Sequence, residues 1–304
     1  MRIIGLVLAL GLACSAAELK RPKITGVAHI ALYVSDMEKA REYYHGLLGF
    51  SEPYSLQNPD GSLSMTFFKV NDRQYIELFP EKKANTDRLN HISVETDDIE
   101  GMRNYLASKG VAVPEKVGIG RIKNKNFNVK DPDGNTIEFV QYEPDGWSMR
   151  EKGKLQARGV SSHIMHVGVI VTALEPSMRF YRDLLGFQEF WRGSKDEKVL
   201  SWVNLRVPDG EDYIELMLYA QKPEETKRGS AHHLCLAVPD IKQALAVLET
   251  LPARKNYTRP LEIRTGINRR RQLNLFDPDG TRAELMETKT VDGHDPLWSK
   301  ALAP

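Results

Sequence analysis

The chain has 304 residues, 41% of them hydrophobic, which is enough for two ordinary domains, each with its own core. Its 42 Lys and Arg balance 41 Asp and Glu, so it carries no electrostatic footprint for nucleic acid or an acidic membrane surface. A small molecule or another protein is the expected partner. The first element, MRIIGLVLALGLACSAAELK, joins Arg2, an apolar run from Ile3 to Leu12 and small residues from Ala13 to Ala17. It predicts a signal peptide over 1–17, too short to span a membrane, and hence an exported protein, periplasmic or secreted. A second reading makes Cys14 the acylated first residue of a lipoprotein, although Gly11 stands where that motif usually has leucine. With Cys14 removed or acylated, Cys235 has no partner and no intrachain disulfide is expected.

Next comes VAHIALYV (27–34), alternating as a strand, after which Ser35 and Glu38 form a capping box that opens a helix and Gly49 should close it. SLSMTFFKV and RQYIELF have strand composition. HISVETDDIEGM then restates HIALYVSDMEKA, and DPDGNTIEFV (131–140) reads as a hairpin turn with its closing strand. The polar, glycine-bearing EPDGWSMREKGKLQARG, within 143–160, reads as a linker. After it the pattern returns: HVGVIVTALEPS with its own capping box, Thr172 with Glu175, then Gly186, EDYIELML, HLCLAVPDIKQA and DPDGTRAELM. The offset between halves grows only from 137 residues at Gly49/Gly186 to 146 at Asp131/Asp277, the mark of a few loop insertions. The fold expected is α+β, with four βαβββ units at about 24–82, 87–142, 161–220 and 229–288. They pair into domains 24–142 and 161–288, followed by a tail, 289–304.

Strand alternation separates the side chains of these units. In QYIELF, Ile76 and Leu78 share one face, and Tyr75, Glu77 and Phe79 the other. In VAHIALYV, Ala28, Ile30, Leu32 and Val34 take the core face and leave His29 opposite. The same rule sets His91 and Glu138 apart from their apolar neighbours, and gives His166, Glu215, His233 and Glu284 in the second half. Taken singly, each is what the solvated face of an antiparallel sheet ordinarily carries. The same four types recur in the same order in both halves, however, and two imidazoles with two carboxylates suit a divalent transition metal such as Zn, Ni, Co, Mn or Fe.

At these residues the chain resembles the vicinal oxygen chelate superfamily, which includes glyoxalase I, methylmalonyl-CoA epimerase, fosfomycin and bleomycin resistance proteins and extradiol dioxygenases. The resemblance runs from about Ile24 to Thr288 and rests on His29 and His166, LLGF, YIEL, His91 and His233, and DPDG followed by Glu138 or Glu284. It implies two glyoxalase-like domains with U-shaped, mostly antiparallel sheets, each holding a His-Glu-His-Glu site in its cup. Extradiol dioxygenases use His, His and Glu of the second half, available here as His166, His233 and Glu284. Their pattern also asks for a further histidine, absent between His233 and Glu284, and a tyrosine where Asn274 stands, which disfavours ring cleavage. Glyoxalase I proper acts on an adduct of the chiefly cytosolic glutathione, at odds with the predicted export.

The chemistry expected of such a site is proton transfer beside a polarised carbonyl, as in lyases and isomerases. Glu138 and Glu284 are the first candidates for the base, Glu77 and Glu215 the alternatives. A small-molecule binding protein of the bleomycin-resistance kind is the alternative function. Arg269, Arg270 and Arg271 could meet an anionic substrate, although such a run is ordinarily a solvated turn. Cys235 shares the face of His233 but as a lone thiol reads as a small buried hydrophobe. His163 and His232 fall off the repeat, and Trp147 and Trp298 follow the two halves as lids or staples.

Overall fold

The computed structural model describes residues 19–154, 159–196 and 198–294, so the predicted signal segment with Cys14, and Trp298, lie outside the described residues. The first module runs β1 (Ile24–Val34), α1 (Met37–Arg41), a π-wound continuation over Glu42–Leu47, β2 (Ser51–Gln57), β3 (Leu63–Lys69) and β4 (Tyr75–Pro80). The second runs β5 (Leu89–Thr96), α2 (Ile99–Ser108), β6 (Gly118–Ile119), β7 (Lys125–Lys130) and β8 (Thr136–Gln141). They share one curled eight-stranded sheet in the order β2-β3-β4-β1-β5-β8-β7-β6. Only β1 with β4 and β5 with β8 pair in parallel; the central β1 and β5 are antiparallel.

After the short helix α3 (Trp147–Arg150), the second half repeats this plan. It has β9 (Ile164–Val171), α4 (Leu174–Met178) with a π-wound continuation over Arg179–Leu184, β10 (Gln188–Ser194), β11 (Leu200–Arg206) and β12 (Tyr213–Leu218). Then come β13 (His233–Val238), α5 (Ile241–Thr250), β14 (Ile263–Thr265), β15 (Arg270–Phe276) and β16 (Arg282–Thr290), in the corresponding sheet order. The four predicted βαβββ units are therefore present. Among the described residues no helix is long and apolar enough to cross a membrane.

The apolar half of each strand's alternation packs under the helices. Ile30, Leu32 and Val34 of β1 meet Ala40, Tyr44 and Leu47, and α2 adds Ile99, Met102, Tyr105 and Leu106 at helical spacing. Full burial of one such leucine contributes roughly 1.5–3 kcal/mol. The other half of the alternation, including every candidate ligand, is left on the opposite, concave face.

Two local expectations need correction. Ser35 and Thr172 do not cap their helices. Asp36 caps α1, accepting from the backbone N–H of Glu38 and Lys39, and α4 follows Ala173 with no side-chain cap. Ser35 and Thr172 instead meet the opposite half: the Ser35 N–H donates to Asp279 and the Thr172 N–H to Asp133, 2.9 and 3.0 Å. Nor is the linker plain. Its first turn folds back as α3, burying Ser148 and setting Trp147 edge-on against Tyr54, ring centroids 5.5 Å apart. Trp147 joins the apolar wall of Leu56, Phe67 and Tyr75 beside the first concave face.

The halves meet through contacts that come in matched pairs. Tyr44 donates to Asp277 and its counterpart Tyr181 to Asp131, at 3.1 and 2.9 Å. The π-wound stretches turn both members of Tyr43-Tyr44 and of Phe180-Tyr181 inward, which brings those hydroxyls to the aspartates. At the first strands, Gln74 Oε1 accepts from the Ile164 N–H at 2.7 Å, and Asp212 Oδ2 accepts from the Val27 N–H at 2.9 Å. Gln74 Nε2 further donates to the carbonyls of Val27 and Ile164 and to Asp212. A buried amide thus satisfies backbone groups of both halves at once.

Candidate metal centre

The first cup gathers one donor from each of four strands. His29 comes from β1, Glu77 from β4, His91 from β5 and Glu138 from β8, all buried. Strand pairing sets the heights: Ala31 lies opposite both Glu77 and His91, and Ser93 opposite both His29 and Glu138. His29 Nε2 lies 2.9 Å from His91 Nε2, 3.6 Å from Glu77 and 3.3 Å from Glu138. His91 Nε2 lies 3.9 Å from Glu77 and 3.8 Å from Glu138. Four ligands about 2.1 Å from one ion in a tetrahedron stand roughly 3.4 Å apart, so these donors fit a divalent ion.

The neighbouring groups are arranged to match. His91 Nδ1 is 3.1 Å from Asn90 Oδ1; donation to that oxygen leaves the Nε2 lone pair facing the cup. Ser93 Oγ donates to Glu138 at 3.2 Å. Burial raises the Glu77 carboxyl to about 7, with His29 opposing and Glu138 reinforcing the shift. Burial also works against an ionised Glu138, but its bonds and charge contact with His29, aided by His91 and Ser93, hold it below the usual range. His91 is pushed down to about 4, chiefly by burial. Burial opposes protonation of His29 too, but the two glutamates raise it overall. The cup opens into a cavity of about 210 Å³ walled by Leu56, Met65, Phe67, Tyr75 and Phe79, with Arg121, Asn124 and Asn126 also lining it.

The second cup brings its four predicted donors together as well: His166 on β9, Glu215 on β12, His233 on β13 and Glu284 on β16. His166 Nε2 is 3.1 Å from His233 Nε2, 3.9 Å from Glu215 and 3.6 Å from Glu284. Its surroundings differ. The Arg282 guanidinium donates from Nη2 to His233 Nε2 at 2.9 Å and places Nη1 3.8 Å from Glu284. His233 Nδ1 donates to the Ala231 carbonyl at 2.8 Å, so its Nε2 is the acceptor of the arginine bond. Burial and Arg282 hold His233 well below the usual imidazole range, and Glu215 is pushed up to about 8 by burial and Glu284.

Several neighbours take roles that their types alone did not reveal. Cys235 is buried against Met165, Tyr213 and Met286, as a small buried hydrophobe should be, and burial pushes its thiol well above the usual range; its sulfur also lies within 4.8 Å of the donor atoms of His166 and Glu284. Arg282 was legible by alternation, two residues from Glu284 on the same strand face. Of the arginine run, Arg269 pairs with Asp292 and Arg271 with Glu287, while Arg270 is buried beside the sulfurs of Met165 and Met286. His232 crosses the junction between halves to Asp87 at 3.0 Å, whereas His163 pairs within its own half with Asp212 at 2.7 Å, the residue that accepts from the Val27 N–H.

A family model described as Glyoxalase/Bleomycin resistance protein/Dioxygenase superfamily matches residues 26–139 and 163–285. The chain is 25% identical to a lactoylglutathione lyase of Schizosaccharomyces pombe, over 86% of this chain and 96% of that protein. It is 28% identical to an iron-dependent extradiol dioxygenase of Rhodococcus jostii, over 54% of this chain and 55% of that protein. An extradiol ring-cleaving dioxygenase from B. fuscum has the same fold, with a TM-score of 0.66 at 18% identity, covering 92% of this chain and 77% of that one.

Proposed function

The chain belongs to the glyoxalase/bleomycin resistance protein/dioxygenase superfamily, and on that premise we propose a metal-dependent lyase or isomerase that moves a proton beside a carbonyl or hydroxyl of a small molecule. The observation that carries this reading is the first cup, where His29, His91, Glu77 and Glu138 converge at the floor of a largely apolar cavity. The end-to-end likeness to a lactoylglutathione lyase supports it. A divalent transition ion held by these four residues would supply Lewis acidity toward a substrate oxygen and acidify the neighbouring C–H.

The remaining work falls to side chains. His91, with Asn90 behind it, and Glu138, with Ser93 behind it, are the fixed groups. Among the described residues Glu77 has only the two imidazoles beside it and no such supporting bond. It is the freer of the two to leave the ion, take a proton from carbon and return it to the adjacent carbon. This moves the base from Glu138, the first choice by sequence, to Glu77. Phe67, Tyr75 and Phe79 keep water from the carbanionic centre, and Asn124 and Asn126 offer polar contacts to the rest of the substrate. The segment predicted to direct export makes a small hydroxy or keto compound a better substrate than a glutathione adduct.

Solvent-deuterium exchange into α-hydroxy and α-keto compounds tests the reading. The metal-loaded protein should exchange, the chelated protein should not, and Glu77→Gln and Glu138→Gln should each lower the rate about 10²- to 10⁴-fold. Identical exchange in all four samples overturns it in favour of a binding protein of the bleomycin-resistance kind. The second reading, ring cleavage, draws on the Rhodococcus relative. It would call on His166, His233 and Glu284, of which His233 already accepts from Arg282. Oxygen uptake with catechols on the iron-loaded protein is its test.

A further inference from the structure

The two cups present the same four donors but differ in what else reaches them. At the strand position two residues before the last glutamate, the first half has Thr136 and the second Arg282. Thr136 accepts from Lys130 at its own end of the hairpin, 2.6 Å, away from the donors. The charges that act on Glu77 are those of His29 and Glu138. Arg282 instead lies over the donor cluster, its side chain only 13% exposed. It uses the one lone pair that His233 could offer a metal, because the other ring nitrogen already donates to Ala231. The His233 ring is also fixed in this attitude: it packs so closely on Gly168 that a Cβ there would lie 2.1 Å from ring atoms. The counterpart of Gly168 is Ala31, so the second sheet has made room for this ring position.

Charge points the same way. Two ionised carboxylates with two neutral imidazoles balance a divalent ion in the first cup. In the second, Arg282 stands between His233 and Glu284, and Arg270 is buried close enough to act on both His166 and Glu284. A divalent ion added there would meet permanent positive charge that has no route to neutralise, since guanidinium keeps its proton.

We propose that the Arg282 guanidinium takes the place of the divalent ion in the second cup, so that the chain loads a single metal ion, at the first. This rests on the reading of the first cup as a metal centre, and the test separates the two. The full chain, stripped with chelator and dialysed, is titrated with Co²⁺, followed by its visible absorption and by elemental analysis after gel filtration. The wild type is expected to saturate at one equivalent per chain, His91→Ala at none, and Arg282→Thr, which installs the first-cup residue, at two. Arg282→Gln serves in its place if the threonine variant does not fold. Two equivalents in the wild type with one left in His91→Ala would overturn the role of Arg282 and spare the first-cup centre. No metal in the wild type with one equivalent in Arg282→Thr would do the reverse. A folded Arg282 variant that still stops at the wild-type stoichiometry would overturn the proposal, as would a wild-type single equivalent that survives His91→Ala.

Discussion

Glu77→Gln should make the metal-free protein more stable while weakening its hold on metal. The Glu77 carboxyl sits near 7 in the fold, chiefly through burial, against an ordinary 4.5. The folded state therefore binds this proton more tightly than the unfolded chain does. Its contribution is fully present below the unfolded value and is lost as pH rises through the folded one. At about 1.36 kcal/mol per unit, the loss reaches about 3.3 kcal/mol by pH 8, and about 2.5 kcal/mol of it accrues above pH 5. Glutamine keeps the shape and the neutral charge of the protonated form at every pH. In chelator, urea denaturation should show the variant gaining roughly 2–3 kcal/mol on the wild type between pH 5 and pH 8. Added metal should reverse the order, since an ion at a hundred times its Kd stabilises the wild type by about 2.7 kcal/mol and the variant lacks one donor. A stability difference that stays constant between pH 5 and pH 8 in chelator would refute the reasoning.

Two further outcomes follow from the junction between the halves. Gln74→Ala removes the partners of the Ile164 N–H and of the carbonyls of Val27 and Ile164 in a buried site, and should cost at least about 3 kcal/mol in urea denaturation, at the low end of 1–3 kcal/mol for each of the three groups; a loss under 1 kcal/mol would mean that water replaces the amide. Asp277, raised to about 6 mainly by burial, likewise holds its proton more tightly folded than unfolded, so its contribution to stability falls as pH rises from about 4 through 6. Asp277→Asn retains the Oδ1 acceptor for the N–H groups of Asp279 and Thr281, and should flatten the decline between pH 4.5 and 7 by about 2 kcal/mol.

The convergence of four donors in each half was legible because two short rules, alternation along a strand and recurrence between copies, act on residues that lie close to one backbone. His29 and Glu77 needed only the knowledge that their neighbours Ile30 and Ile76 face a core. What stayed hidden depends on how one half packs on the other. Nothing in the local pattern around Ser35 says that Asp279, far along the chain, will take its N–H, so a local capping box was the natural and mistaken reading. The fold-back of α3 escaped for a similar reason, since the polar residues around Trp147 conceal a side chain whose partner, Tyr54, belongs to another unit. Arg282 is the opposite case: its face was readable, but it lies where the copies differ, and recurrence draws attention only to where they agree.

The matched contacts across the junction, Tyr44 to Asp277 and Tyr181 to Asp131, are what a self-complementary two-fold dimer makes. Here both copies are covalently joined. In a true dimer every substitution strikes both cups, so an arginine entering one would enter the other and leave no centre untouched. Fusion lifts that constraint: one cup can be given over to holding the molecule together while its twin keeps the chemistry. A separately expressed half would regain the constraint along with its missing partner, because the aspartates on its DPDG turn find their tyrosine only on a second copy.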